Sequence, residues 1–188
     1  MSKNRTENPN IASGRIDKLE KDEIFVFGSN LEGKHLGGAA KAAHNRFGAQ
    51  WGVGEGLTGK SYAIPTMQGG IETIKPYVDQ FIEYAKEHQE NKFLVTRIGC
   101  GIAGFKDEEI APLFKKAATA YNIYLPKEFF NIIAAPYLKH CFYYGKDVPE
   151  DCGAHVGHQY EGCWVSFHLN NDDYFLNETL SYIREGLG

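Results

Sequence analysis

The sequence predicts a layered α/β domain, and three observations carry that prediction. Residues 24–40 read IFVFGSNLEGKHLGGAA, and residues 92–105 read KFLVTRIGCGIAGF. In each, an apolar β-type run breaks into a glycine-rich loop that leads into a helical pattern. The third is the order of elements along the chain, β-α-β-α-β-α-β, which is that of a layered α/β unit. In a parallel sheet the loops leaving the carboxyl ends of the strands gather at one edge and form the ligand crevice. Glycines there let backbone N–H groups approach an anion, and a helix N-terminus adds partial positive charge. Paired loops of this kind suit a ligand with two phosphates.

The elements follow in order. Residues 24–27 are a continuous apolar run suited to a strand buried on both faces. Residues 37–47 (GGAAKAAHNRF) are helical, with Ala39, Ala40, Ala43 and Phe47 on one face and Gly48 as C-cap. Residues 51–60 carry four glycines and read as a loop. Residues 61–64 form a short strand stopped by Pro65. Residues 73–88 give the clearest helix, with Ile74, Val78, Phe81 and Ala85 at helical spacing and Pro76 in the first turn, where its missing N–H costs little. Residues 93–98 are the next strand. An acidic turn at 106–110 and a helix at 111–121 follow, the helix starting near Pro112. Residues 122–125 supply a last strand.

From Lys127 aromatics become dense and histidines cluster. Residues 129–134 and 164–169 read as strands, and 177–185 as a closing amphipathic helix. The expected organisation is therefore a polar lead-in over 1–20, a domain over 21–129, and an appended α+β segment over 130–188 packed on it.

Bulk properties exclude several classes. The chain has 188 residues, enough for one α/β domain with a real core. It carries 43% hydrophobic and 23% charged residues, ordinary for a globular protein. Its net charge of −4 argues against a general nucleic-acid or anionic-membrane surface. A small anionic ligand is still compatible, because a site built from backbone amides needs no side-chain charge. No apolar run is long enough for a membrane span, and residues 1–15 lack the apolar core of a secretory signal. The expected location is cytoplasmic, with Cys100, Cys141, Cys152 and Cys163 as reduced thiols.

The first loop runs from Gly28-Ser29-Asn30 to Gly37-Gly38. Its glycines either bring the backbone close to a ligand or merely shape a turn. Asn30 either meets a ribose hydroxyl or caps that turn. His35 is the titratable group nearest any ligand, or simply an exposed loop histidine. The second loop, Gly99-Cys100-Gly101-Ile102-Ala103-Gly104-Phe105, is the stronger signal. It lacks the Gly-Lys-Ser/Thr ending of a P-loop, which argues against ATP hydrolysis. Phe105 either stacks on a sugar or belongs to the core. Cys100 reads more simply as a small buried hydrophobe than as a nucleophile. Asp107 and Glu108 read as helix N-terminal dipole partners.

These loops, in this order, resemble the macro domain, the ADP-ribose-binding module. The pieces are Phe27-Gly28-Ser29-Asn30, Gly37-Gly38-Ala39-Ala40, and Gly99 through Phe105, which is of the type G-x-G-I-x-G-[FY]. The stretch from Ile24 to Phe129 is similar to macro-like proteins of bacteria and their phages. The resemblance implies a three-layer α/β/α domain with a central mixed sheet. It implies that residues 99–104 wrap a diphosphate with backbone amides, that Phe105 packs on the distal ribose, and that Asn30 sits near that ribose. Gly28 and Ser29 lead into the site, and Gly37, Gly38 and Ala39 face the ligand from the other side. The implied reaction, if any, is hydrolysis at the distal ribose of an ADP-ribose derivative, with Asn30 or His35 orienting a water. No cofactor or metal is needed for it. The partner is an ADP-ribose-like small molecule or an ADP-ribosylated target.

The chain departs from the family at three points. No clear match exists for the Gly-Asp-Ile segment whose Asp recognises the adenine amine; Asp17 and Asp22 are distant candidates. The Gly-Gly stretch continues as Ala-Ala-Lys, without the acidic residue of one hydrolase branch. The paired glutamates of the glycohydrolases are missing, with Glu55 alone in Gly54-Glu55-Gly56. A non-catalytic binder or sequestering protein is therefore the alternative. A Rossmann-like phosphoribohydrolase would want Arg and Glu beside its glycine loop; Arg97 has no such Glu. In the C-terminal segment, Cys152-x-x-His155 and His158-x4-Cys163 have spacings a zinc site uses, but they match no common zinc motif and read as scattered surface histidines with buried cysteines.

Overall fold

A computed structural model describes residues 10–134, 140–141 and 146–147. Six strands form one mixed sheet in the order β1-β6-β5-β2-β4-β3. They are β1 (Ile11–Ala12), β2 (Glu23–Ser29), β3 (Gly56–Thr58), β4 (Ser61–Pro65), β5 (Lys92–Val95) and β6 (Ile123–Pro126). All pairings are parallel except the β3–β4 hairpin. β2 lies between β4 and β5, with Val26 opposite both Tyr62 and Val95. The helices are α1 (Gly38–Phe47), α2 (Ile71–Glu87), α3 (Asp107–Ile110), a 3-10 helix over Ala111–Thr119, and α4 (Lys127–Ala134). A separate two-stranded pair joins β7 (His140–Cys141) and β8 (Lys146–Asp147).

Alternation along β2 explains its apolar run. Successive side chains point to opposite faces of a sheet. Ile24 and Val26 enter a large core with Ile74, Val78 and Phe81 of α2, Phe114 of the 3-10 helix, and Phe129 and Phe130 of α4. Phe25 and Phe27 enter a smaller core with Ala40, Ala43 and Phe47 of α1. The alanines on α1 let that helix lie close to the sheet. Its end is fixed by Gly48, whose left-handed φ of 80° closes the helix through a bond from its N–H to the Ala43 carbonyl.

Several expectations are corrected. Residues 129–134 are helical, not extended: Phe129, Phe130 and Ile133 have the spacing of one helix face and fill the large core. Truncating a buried Phe costs ~3–5 kcal/mol, so α4 is part of this core and the fold continues past residue 129. Part of the lead-in is built into the fold as well: Ile11 and Ala12 pair with Leu125 and Pro126, and Ile16 and Leu19 pack on the smaller core. The glycine-rich stretch 51–60 contains β3. α2 begins at Ile71, so Pro76 lies beyond the first turn. β5 ends at Val95, earlier than expected. Helix begins at Asp107 rather than near Pro112, and continues as 3-10 turns through Pro112. The expected strand at 164–169 and helix at 177–185 lie outside the described residues.

Candidate functional site

The carboxyl ends of β2, β4 and β5 open on one cleft of about 830 Å³. Its walls are residues 14–17, 28–30, 36–42, 66–67, 96–99 and 101–103, with Phe25, Lys34, Asn45 and Arg46. Backbone continuity brings these segments together: the Thr66 N–H donates to the Ser29 carbonyl at 2.9 Å, and the Thr96 N–H to the Val26 carbonyl at 3.0 Å. A Cβ on Gly28 would lie 3.4 Å from the Gly99 nitrogen, so the two glycine loops approach each other across the strand ends. At the rim, a Cβ on Gly37 would sit 3.0 Å from Cδ1 of Ile102, a side chain that is 75% exposed.

The first loop supplies a helix N-terminus. Gly37 is the extended N-cap of α1, with no side-chain capping bond and no acidic residue in the first turn. The helix ladder starts with the Lys41 N–H donating to the Gly37 carbonyl. The N–H groups of Gly38, Ala39 and Ala40 are therefore the orphan donors of a ten-residue helix, and all three residues line the cleft.

The second loop supplies amides of a different kind. It is pinned by bonds from the Gly104 N–H to the Gly101 carbonyl and from the Phe105 N–H to the Gly99 carbonyl, both 3.0 Å. Among the described residues, the N–H groups of Gly99, Gly101, Ile102 and Ala103 donate no backbone bond, and these four residues line the cleft. The helix that follows is short and acidic: α3 spans four residues, with Asp107, Glu108 and Glu109 in its first turn. The Glu109 carboxylate accepts the Lys106 N–H at 2.8 Å. Asp107 is held by Arg97, Nε to Oδ1 at 3.1 Å and Nη2 to Oδ2 at 2.5 Å, and this guanidinium keeps its carboxyl below the usual range.

Of the site residues read from sequence, Gly28, Ser29, Asn30, Gly37, Gly38, Ala39, Gly99, Gly101, Ile102 and Ala103 line the cleft. His35, Cys100, Gly104 and Phe105 do not. His35 is only 2% exposed. Its Nε2 lies 2.9 Å from the Gln50 carbonyl, and its ring packs edge-on against Phe27 and Trp51 and beside His44. It is neither a surface histidine nor a group that reaches the ligand space. Phe105 is half-buried against the large core, drawn back by the turn to Gly99. The Cys100 Sγ donates to the Ile98 carbonyl at 3.5 Å. Burial, reinforced by the Asp107 carboxylate, pushes its thiol up to about 12, the opposite of an activated nucleophile.

Asn30 lines the cleft but is already committed. Its Nδ2 donates to the Lys34 carbonyl at 2.9 Å, and its Oδ1 accepts the Lys34 N–H at 3.0 Å. This pair closes the turn that folds His35 inward. The Ser29 hydroxyl, also buried, donates to the Gly54 carbonyl. Asp17 and Asp22 separate clearly: Asp17 lines the cleft, whereas Asp22 pairs with Lys92 beside the amino ends of β2 and β5.

Sequence reading missed most of the cleft's cations. Arg15, Lys34, Lys41, Arg46 and Arg97 line it, against the single carboxylate of Asp17. Four of the five are ion-paired, Lys34 with Glu32, Arg97 with Asp107, and Arg15 and Arg46 with Asp17, so the cations outnumber the carboxylates that hold them by two. Arg97 was noticed beside the glycine loop, whereas Lys41 and Arg46 on the α1 pattern look like any solvated helix face. Among the described residues, no group of three or more His, Cys, Asp or Glu could hold a metal; Cys152, His155, His158, Cys163 and His168 lie outside them. No helix among the described residues is long and apolar enough to cross a membrane.

No protein-family model matches this chain, and no curated protein or solved structure matches it.

Proposed function

We propose that the chain is a macro-like domain that binds an ADP-ribose-like nucleotide in this cleft. One observation supports the reading: the uncapped N-terminal residues of α1 and the residues Gly99, Gly101, Ile102 and Ala103, whose amides donate no backbone bond, line the same cavity. Hydrogen bonds to a charged group contribute ~1.5–3 kcal/mol each, while a helix dipole adds only ~0.3–1 kcal/mol. The amides therefore supply most of the attraction for a diphosphate, and the surrounding cations add to it. The cavity's volume of about 830 Å³ falls in the range of small-molecule sites, roughly 300–1,000 Å³. A mixed sheet with a separate apolar core on each face is what the three-layer α/β/α arrangement requires.

The non-catalytic reading is favoured over hydrolysis by the state of the two expected catalytic residues. His35 is buried away from the cleft, and both polar atoms of Asn30 are bonded to Lys34. Neither is placed to activate a water. The protein thus reads or sequesters its ligand.

Isothermal titration with ADP-ribose tests the binding claim. Dissociation at micromolar level, about −8 kcal/mol, is expected. No heat at millimolar ligand overturns the proposal. Release of ADP-ribose from a modified protein by the purified chain would overturn the non-catalytic reading alone.

A further inference from the structure

The cleft has a second charged end. Residues 14–17 border it on the side where Asn45 and Arg46 of α1 also face it. Here Asp17 is gripped by two guanidiniums: Arg15 Nε lies 2.8 Å from Oδ2, and Arg46 Nη1 lies 2.7 Å from Oδ1. Each carboxylate oxygen already accepts a charge-assisted bond, stronger than one from a neutral amine. The triad carries a net charge of +1. Among the described residues, each guanidinium spends one nitrogen on Asp17 and makes no other side-chain contact.

A purely structural role explains this poorly. The three side chains are 82%, 49% and 48% exposed for Arg15, Arg46 and Asp17, and exposed ion pairs contribute little to folding. Arg15 in particular holds nothing else in place. Arg46 lies eight residues beyond Gly38 on α1, roughly 12 Å along the helix at 1.5 Å per residue. The same cleft is lined by the N-terminus of α1 and by this triad, so a ligand whose diphosphate sits at the helix N-terminus has room for its nucleoside beside the two arginines.

Building on the ADP-ribose reading above, we infer that the ligand carries a further phosphate monoester on its nucleoside-side ribose, and that Arg15 and Arg46 recognise it. The site then selects a nucleotide that is anionic at two places, and Asp17 serves to pre-orient the two arginines rather than to accept a base amine.

Calorimetry on the full chain tests this with three ligands: ADP-ribose, and ADP-ribose bearing a 2′- or a 3′-phosphate on the adenosine ribose. One phosphorylated ligand is expected to bind at least about tenfold tighter than ADP-ribose, with the gain shrinking as salt screens it. Arg46→Ala and, separately, Arg15→Ala are expected to lower the ratio of the two affinities. Asp17→Asn, which releases both guanidiniums from the carboxylate that orients them, is expected to lower the ratio too, while leaving ADP-ribose affinity itself unchanged. If neither phosphate isomer gains over ADP-ribose, or if Asp17→Asn weakens ADP-ribose binding as loss of an amine acceptor would, the inference is overturned while the ADP-ribose reading stands. If none of the three ligands binds, the reading beneath it falls as well.

Discussion

The two glycine loops look alike in sequence and do different things in the fold. Gly28–Gly38 is braced: Asn30 clamps Lys34, His35 is tucked against Phe27, and the Ser29 hydroxyl bonds to Gly54. It ends on the N-terminus of a ten-residue helix with no capping side chain. Residues 99–105 are pinned by three backbone bonds and end on a four-residue helix that begins with three acids. The first loop therefore brings a helix terminus to the cleft, and the second brings only its own amides. Sequence reading gave ligand contact to both loops and put the catalytic idea on Asn30 and His35 of the first. The fold places residues of both loops on the cleft, buries His35 away from it and engages both polar atoms of Asn30 with Lys34.

The largest expected effect that sharpens this contrast is His35→Ala. A buried aromatic-sized side chain lost from a packed cluster costs ~3 kcal/mol, so thermal unfolding should shift down by many degrees. An unchanged Tm would return His35 to the ligand side of the loop. Next come paired glycine changes in the second loop. Gly99 has φ +76°, and a Cβ there would meet Ile110 at 3.0 Å, while Gly101 has open space. Gly99→Ala is expected to cost ~1–2 kcal/mol, and Gly101→Ala within about 0.5 kcal/mol; equal costs in urea melts would contradict the loop geometry.

A smaller effect concerns acid. The Asp107 carboxyl is lowered, first of all by its bond from Arg97. Its folded value lies below its unfolded one, so its contribution is present above the ordinary carboxylate range and is lost as pH falls through the folded value. Asp107→Asn should remove that part of the acid-side loss, about 1 kcal/mol or less for a pair half open to solvent. Identical stability profiles below pH 4 would show the pair to be inert. The smallest effect is on reactivity: Cys100, with its thiol pushed up to about 12, should label slowly with iodoacetamide at pH 7.5. Rapid modification mapped to Cys100 by mass spectrometry would show an activated thiol instead.

Much of the scaffold was legible because it rests on local pattern. The small-residue face of α1 with its Gly48 cap and the apolar stripe of α2 each repeat at one clear period, and the strand at 24–27 is a short β-rich run ended by Gly28. The failures have physical reasons. Residues 129–134 are a short, nearly continuous apolar run, which has no period to distinguish strand from helix. Ile11 and Ala12 form a strand only because β6 offers them a partner, a long-range fact no local pattern records. In the site, glycines marked where the backbone comes close, and ten of the named residues do line the cleft. Side-chain direction was not legible: His35 turns inward because of the Asn30–Lys34 turn. The cationic wall was missed because its members come from four separate segments that only the fold assembles.

The central claim is that the bare N-terminus of α1 holds the ligand's diphosphate, and titration of ADP-ribose into the wild-type chain and Ala39→Glu tests it most directly. An acid in the first turn of a helix favours folding by ~0.3–1 kcal/mol, so the variant should keep its Tm. Like charges brought together in a site cost several kcal/mol, so its affinity should fall roughly a hundredfold. Equal affinity of the two proteins for ADP-ribose, at unchanged Tm, would contradict the claim.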